Sequence, residues 1–223
     1  DNILAQTDPY EGYAQYFQMS TLPDLSLIGD SNGTWLNPSD FYQYDYIAEG
    51  SRSVELVVND DNEIFYFTSL SEYFAGLDIY VRKVDANGSV LWDAPKNLTS
   101  NFNANAFVRA AFKTQSGGVF IVYQETGWTN NIYITSIDQD GNILEGFPKE
   151  VSNVDNQQSF EHAVDTGSGI FIVWKENRIG VEDVYGQYFD YNGNPLTSVD
   201  EIEIAVSTYQ KGQSMIAANQ ILN

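Results

Sequence analysis

The sequence contains no cysteine. This absence excludes disulfides, thiolate metal sites, thiol nucleophiles and the lipidated cysteine that begins a mature bacterial lipoprotein. Histidine is almost as scarce, because His162 is the only one. A metal site with several histidines is therefore excluded, and a Ser-His-Asp triad would depend on one residue that alternates with Phe160 in an apolar segment.

Basic residues are also few. Lysine and arginine together number 10 against 31 aspartates and glutamates, which gives a formal net charge of −21 at pH 7. A charge of this sign and size opposes binding to nucleic acid phosphates and to anionic lipid headgroups. We therefore expect neither nucleic acid nor a membrane surface among the partners.

Long hydrophobic runs are missing as well. The longest strong one, Val119–Tyr123, has the length of a strand, whereas a membrane-spanning helix needs about 18 residues. We therefore expect no membrane insertion. The chain begins at Asp1 with neither a methionine nor a basic and then apolar leader, so we expect a mature secreted form or an excised domain.

The sequence does contain an internal repeat. An Asp-x-x-Gly pattern ends at Gly33, Gly88, Gly141 and Gly193, which are 55, 53 and 52 residues apart. This period is typical of the four-stranded blade of a β-propeller. We therefore predict an all-β fold, a single propeller domain over residues 1–223 with about four blades. A solenoid or a flat array of strands is the alternative, since a period does not prove that a ring closes.

Alternating and continuous apolar segments divide each repeat into four predicted strands, A to D, separated by Gly, Asn and Asp. Strand A is predicted at 54–59, 107–113 and 160–165, strand B at 64–68, 119–124 and 170–175, and strand C at 78–84, 132–137 and 184–189. Strand D is expected around Val90, Ile143 and Ile202. Strand B is apolar on both faces, which indicates a sheet buried between two neighbours.

The predicted repeats cover residues 10–52, 53–105, 106–158 and 159–213, followed by a lone strand at 214–221. The first repeat is expected to start at strand B, with Gly12–Met19, and to lack strand A. Pairing of 214–221 with that repeat would close a ring and remove two sheet edges. The alternatives are a piece of a longer propeller, or two chains that complete a larger ring.

Residues 169–193 are similar to repeats of large bacterial secreted and cell-surface proteins, many of which carry a type IX secretion sorting domain. The matching residues are Gly169, Trp174, Arg178, Gly180, Asp183, Tyr185, Gln187, Asp190 and Gly193. Residues 106–151 match more loosely, residues 1–60 match poorly, and the sequence has no sorting domain. The resemblance implies a β-propeller exported to the bacterial surface or medium as an adhesion or recognition module, in some cases part of a larger surface or secretion assembly, without catalytic residues.

Successive antiparallel strands reverse direction, so the A–B and C–D turns of a blade share one end and the B–C and D–A loops share the other. We call these the turn end and the loop end. The loop end is rich in aromatic residues. The candidate ligand-binding residues are Arg178 and six of these aromatic residues, namely Tyr42, Tyr44, Tyr46, Tyr73, Phe74 and Trp128. Aromatic rings among polar side chains suit a surface glycan or a protein partner, although the same rings also pack loops onto a scaffold.

Catalysis is the competing hypothesis. Paired carboxylates occur at Asp60 and Asp61, at Glu182 and Asp183, and among Asp200, Glu201 and Glu203, so a propeller glycoside hydrolase or lyase is the alternative function. A structural segment of a large surface protein or secretion cargo is a third. No cofactor is expected; the alternative is calcium, bound by the alternating Asp138 and Asp140.

Overall fold

The computed structural model describes residues 2–7, 13–21, 24–28, 34–35, 54–71, 76–99, 104–127, 130–154, 157–178, 182–197 and 201–205. These residues form antiparallel sheets and contain no helix that is long and apolar enough to span a membrane. The predicted all-β class with four-stranded antiparallel sheets is confirmed.

Three consecutive sheets share one order, in which each strand pairs with the next strand along the chain. The second sheet comprises β5 Val54–Val58, β6 Ile64–Ser71, β7 Leu77–Val84 and β8 Lys96–Asn97. The third comprises β9 Asn105–Lys113, β10 Val119–Thr126, β11 Asn131–Ile137 and β12 Lys149–Glu150. The fourth comprises β13 Gln158–Asp165, β14 Ile170–Asn177, β15 Glu182–Phe189 and β16 Ile202–Ala205. Strands A, B and C therefore lie where the sequence predicted them.

Strand D differs from the prediction in two of these sheets. Val90 and Ile143 each form only an isolated bridge, to Val84 and Ile137, and the regular strands β8 and β12 start six residues later, at Lys96 and Lys149. The outermost strand is therefore two residues long in both sheets. Such short edges limit the number of unpaired backbone groups that another chain could pair with.

The first sheet has a different plan. It comprises β1 Asn2–Thr7, β2 Tyr13–Thr21, β3 Asp24–Ile28 and β4 Thr34–Trp35. The expectation that this repeat begins at strand B is wrong, because β1 pairs with β2 over six residues. Strands β3 and β4 both pair with β2, so they line its other edge. Residues 214–221 lie outside the described residues, and their closing role stays a prediction.

The core lies between sheets, and β10 shows why. Its side chains alternate in direction, so Val119, Ile121 and Tyr123 join the second sheet in one apolar cluster. Phe120 and Val122 join the fourth sheet in another. All five are at most 2% exposed. The prediction that strand B is buried on both faces is confirmed for this strand.

Candidate functional site

The aromatic residues of the predicted loop end lie outside the described residues, namely Tyr42, Tyr44, Tyr46, Tyr73, Phe74 and Trp128. The structure describes the strand ends beside three of them. In the sequence, Tyr73 and Phe74 fall between β6 and β7, and Trp128 falls between β10 and β11. Arg178, the remaining candidate, follows β14 directly and is described.

Polar side chains join adjacent sheets at this end. Asn105, at the start of β9, accepts a hydrogen bond from the backbone N–H of Leu77 at 3.1 Å. Gln158, at the start of β13, accepts one from the N–H of Ile132 through its Oε1 at 3.0 Å, inside the core. The side chain of Gln124 also donates to the Gln158 carbonyl at 2.9 Å. In the third and fourth sheets the first strand is thus bonded to the start of the third strand in the sheet before it.

Arg178 is the centre of an ionic network. Its guanidinium donates to Glu176 at 2.9 Å, pairs with Glu201 and lies over the ring of Tyr185, with Cζ 3.8 Å from the ring centre. Partial burial would disfavour the charged form, but the hydrogen bonds to Glu176 and Glu201 outweigh it, so the pKa of Arg178 is raised. Ser152, which follows the last strand of the third sheet, also donates to Glu201. Arg178 therefore ties β14, β16 and, through Glu201, the neighbouring sheet together.

The same network holds Trp174, which is fully buried, as its place in strand B predicted. Its indole N–H donates to Glu176 at 3.1 Å, and its ring stacks on Tyr185, the residue opposite it on β15. In the third sheet the corresponding pair is Tyr123 and Tyr133, stacked at 5.3 Å between ring centres. Several residues that define the repeat in the sequence thus contact one another inside the fold.

The Asp-x-x-Gly turns have a structural explanation. The Asp138 carboxylate accepts hydrogen bonds from the backbone N–H groups of Asp140 and Asn142 and from the Asn142 side chain. Partial burial opposes ionisation of Asp138, but these bonds and the charge of Lys96 outweigh it, so its pKa is lowered. Asp140 is exposed and contributes its backbone N–H to the turn. Among the described residues no group of three or more His, Asp or Glu side chains is placed to hold a metal ion.

Two of these turns also dock on the sheet before them. Gly141 and Gly193 both have positive φ angles, 77° and 70°. A β-carbon on Gly141 would lie 2.6 Å from Trp92, and one on Gly193 would lie 2.7 Å from Phe147. Lys149 completes the second junction, because its ammonium donates to the carbonyls of Asn192 and Gly193 at 2.8 and 3.3 Å. Glycine is therefore needed in these turns for both conformation and packing.

The carboxylate pairs proposed for catalysis fall into separate surroundings. Asp60 and Asp61 are exposed in the β5–β6 turn, and Asp60 pairs with Lys113 at 2.5 Å. Glu182 and Asp183 are consecutive in β15 and so point to opposite faces of the sheet. Glu201 is bound by Arg178. The histidine candidate, His162, is half-buried on β13 opposite Val173.

Sequence reasoning missed two features. Glu55 on β5 is half-buried, and burial raises its pKa. A cleft of about 550 Å³ lies where the β7–β8 connection meets the Asp138–Gly141 turn, with Trp92, Asp93 and Asp140 in its lining. A charged residue in strand A was a visible signal for Glu55. The cleft had none, because it joins residues nearly 50 positions apart.

Comparison with known proteins gives no family. No family model matches the chain, and no curated protein matches it significantly. Among solved structures, an endo-arabinase from Bacteroides thetaiotaomicron VPI-5482 is similar, with 14% sequence identity over 89% of this chain and 81% of that chain, and a TM-score of 0.46. At that level of likeness no residue role or activity is carried over from the enzyme.

Proposed function

We propose that this protein is a non-catalytic recognition module, exported to the bacterial surface or medium, whose loop end binds a carbohydrate or a protein. We also propose that its sheets are the blades of a β-propeller. The observation that carries the proposal is the bonding of consecutive sheets at the loop end by Asn105 and Gln158.

These bonds matter because they hold the strands beside the loops in a constant relation. Loops on a rigid framework bind with a smaller loss of conformational entropy than free loops do. Tyr and Trp side chains add apolar contact area and a polar edge at a low entropic cost. The proposed binding residues are therefore Tyr42, Tyr44, Tyr46, Tyr73, Phe74 and Trp128, with Arg178 as the residue that anchors the β14–β15 loop.

The use of the described carboxylates also favours binding over catalysis. Glu176 and Glu201 are bound by Arg178, Asp60 pairs with Lys113, and Asp138 caps a turn. A general acid and its partner carboxylate have to face a common substrate space. These acids instead face their own structural partners.

The test is a glycan array, together with capture on bacterial surface glycans, using the purified protein and the variants Trp128→Ala and Tyr44→Ala. We expect each variant to lose at least tenfold in affinity with an unchanged melting temperature. Ile143→Ala is the control, because Ile143 is also an exposed apolar residue but lies in a C–D connection at the turn end. Unchanged binding in both loop variants would overturn the assignment of the loop end.

One observation favours the glycoside hydrolase alternative. Burial raises the pKa of Glu55, and a raised pKa is what a carboxyl group needs to act as a general acid near neutral pH. Incubation of the protein with a panel of polysaccharides, followed by an assay for released reducing ends, tests the hydrolase alternative directly. Activity that Glu55→Gln abolishes, without loss of folding, would replace the recognition proposal with the enzyme.

A further inference from the structure

A second surface lies at the opposite end of the sheets from the proposed loop site. Among the described residues, five of the six exposed large hydrophobic side chains belong to the C–D connections: Val90, Leu91, Ile143, Leu144 and Leu196. A leucine stands three residues after the turn glycine in each of the last three repeats, and its N–H bonds back to strand C. The turn end therefore carries a repeated band of apolar side chains, of the kind that marks interaction surfaces.

The cleft between the second and third sheets adjoins this band. Its apolar wall consists of Leu91, Trp92, Ala94 and Pro95, and Leu91 is 44% exposed. Trp92 is held in place by Phe65, whose ring meets it edge to face at 5.8 Å, and by contact with Gly141. The cleft is therefore preformed rather than assembled from free side chains. Its volume of about 550 Å³ lies in the range of small ligand sites.

The charges around the cleft are unequal. Lys96 lines it and interacts electrostatically with Asp138, inside the neighbouring turn. Asp93 and Asp140 are exposed, and neither carboxylate has a hydrogen-bond or ion-pair partner within the part of the chain that the structure describes. The cleft thus presents two carboxylates and the Lys96 ammonium beside an apolar wall, with the acids in excess.

The next junction along the chain provides an internal comparison. Alignment of the repeats on Leu91 with Leu144 and Lys96 with Lys149 puts Glu145 at the position of Trp92 and Gly146 at that of Asp93. Alignment of the turns on Gly141 with Gly193 puts Asn192 at the position of Asp140. That junction packs through Phe147 and Lys149 without these side chains. Phe147 there fills the packing role of Trp92, since each contacts the next turn glycine and meets a strand B phenylalanine edge to face. The two acids have no acidic counterpart at that junction, so packing of the repeat does not explain them.

We propose that this cleft binds a peptide segment in which apolar residues are flanked by lysine or arginine. The apolar side chain contacts Leu91 and Trp92, and the flanking cations pair with Asp93 and Asp140. The net charge of −21 attracts a basic segment over a longer range at low salt. This site is separate from the proposed loop site, and either proposal can fail without the other.

The test measures binding of the labelled peptide acetyl-Lys-Arg-Leu-Leu-Arg-Lys-amide by fluorescence anisotropy. The comparison peptides replace the two leucines with serines, or the four cations with acids. Two double variants are compared with the wild-type protein, and each loses two negative charges: Asp93→Asn with Asp140→Asn, and the control Asp61→Asn with Glu145→Gln. We expect the first to weaken binding about fivefold or more and the control to have little effect.

Trp92→Ala should weaken binding of the leucine peptide about tenfold and scarcely affect binding of the serine peptide. A melting curve shows whether that variant folds, and the Asn variants keep the test valid if it does not. Equal weakening in both double variants, or no binding of the leucine peptide, would overturn the proposal. Displacement of the peptide by a neutral oligosaccharide would also overturn it, since it would assign the cleft to a sugar.

Discussion

At the residue scale, single side chains and glycines carry the contacts between sheets. Gly193 combines a positive φ of 70° with close approach to Phe147, whereas Gly146 has a positive φ of 84° and nothing within 4 Å of an added β-carbon. Gly146 is thus required only for its backbone conformation, whereas Gly193 is required for both its conformation and its packing.

Replacement of Gly193 by alanine should therefore cost more than the same change at Gly146. We expect about 1 kcal/mol for Gly146→Ala, from the left-handed conformation alone, and about 2 to 3 kcal/mol for Gly193→Ala, because Phe147 also has to move. Chemical denaturation of both variants measures the difference. Equal losses would show that the turn does not pack against the preceding sheet.

Glu55 makes a prediction about pH. Burial raises its pKa above the unfolded value of 4.5, so its protonated form stabilises the fold. That contribution is fully present below pH 4.5 and is lost as the pH rises through the raised pKa. Glu55→Gln should accordingly raise the melting temperature at neutral pH and leave it unchanged near pH 4.

The control for Glu55 is Glu203→Gln, which makes the same change of charge at an exposed position. A gain of the same size in Glu203→Gln would mean that total charge, not burial of Glu55, explains the effect.

At the element scale, a strand is stabilised by what lies on each of its faces and at its ends. β10 is apolar on both faces because two other sheets cover it, and β14 ends in the network of Glu176, Arg178 and Glu201. The side chain of Glu176 is 0% exposed, so its charge depends on Arg178 and Trp174 for compensation.

Arg178→Ala should destabilise the protein by about 3 kcal/mol, because it leaves the buried Glu176 without its cation. The double variant Glu176→Gln with Arg178→Ala should recover part of the loss, since the neutral amide can still accept the hydrogen bond from Trp174. Thermal unfolding of Arg178→Ala, Glu176→Gln and the double variant gives the coupling free energy between the two side chains. Strictly additive losses would contradict the network.

At the scale of the whole molecule, the net charge of −21 is the dominant electrostatic fact. Several described cations are already committed to particular partners, such as Lys83 to Glu63, Lys175 to Glu161 and Arg178 to Glu176. The negative charge of most of the remaining carboxylates is therefore balanced only by ions from the solvent.

We expect the melting temperature to rise by about 5 °C when sodium chloride is increased from about 20 mM to about 500 mM, because salt screens the repulsion between acids. Differential scanning fluorimetry at constant pH measures it, with sodium chloride and potassium chloride compared to exclude specific ion binding. A melting temperature independent of salt would contradict the prediction.

The local pattern of the amino-acid sequence was enough to predict strands A, B and C of the last three sheets and the turns that follow strand C. Alternation at Val119–Tyr123 and the Asn-Gly and Asp-Gly turns depend on neighbours within a few positions, so they are legible without a structure. Strand β1 was missed because Asn2–Thr7 precedes the first turn of the repeat, and the period of the later repeats gave no signal for it.

Contacts between residues that are distant in the sequence were determined only by the tertiary structure. Trp92 meets Gly141, Lys149 meets Asn192, and Ser152 meets Glu201 because whole sheets pack side by side. Such contacts depend on the relative placement of repeats about 50 residues apart, which periodicity alone does not specify. For the same reason the cleft at Trp92, Asp93 and Asp140 had to be found in the folded chain, whereas the aromatic loops could be proposed from the order of the residues.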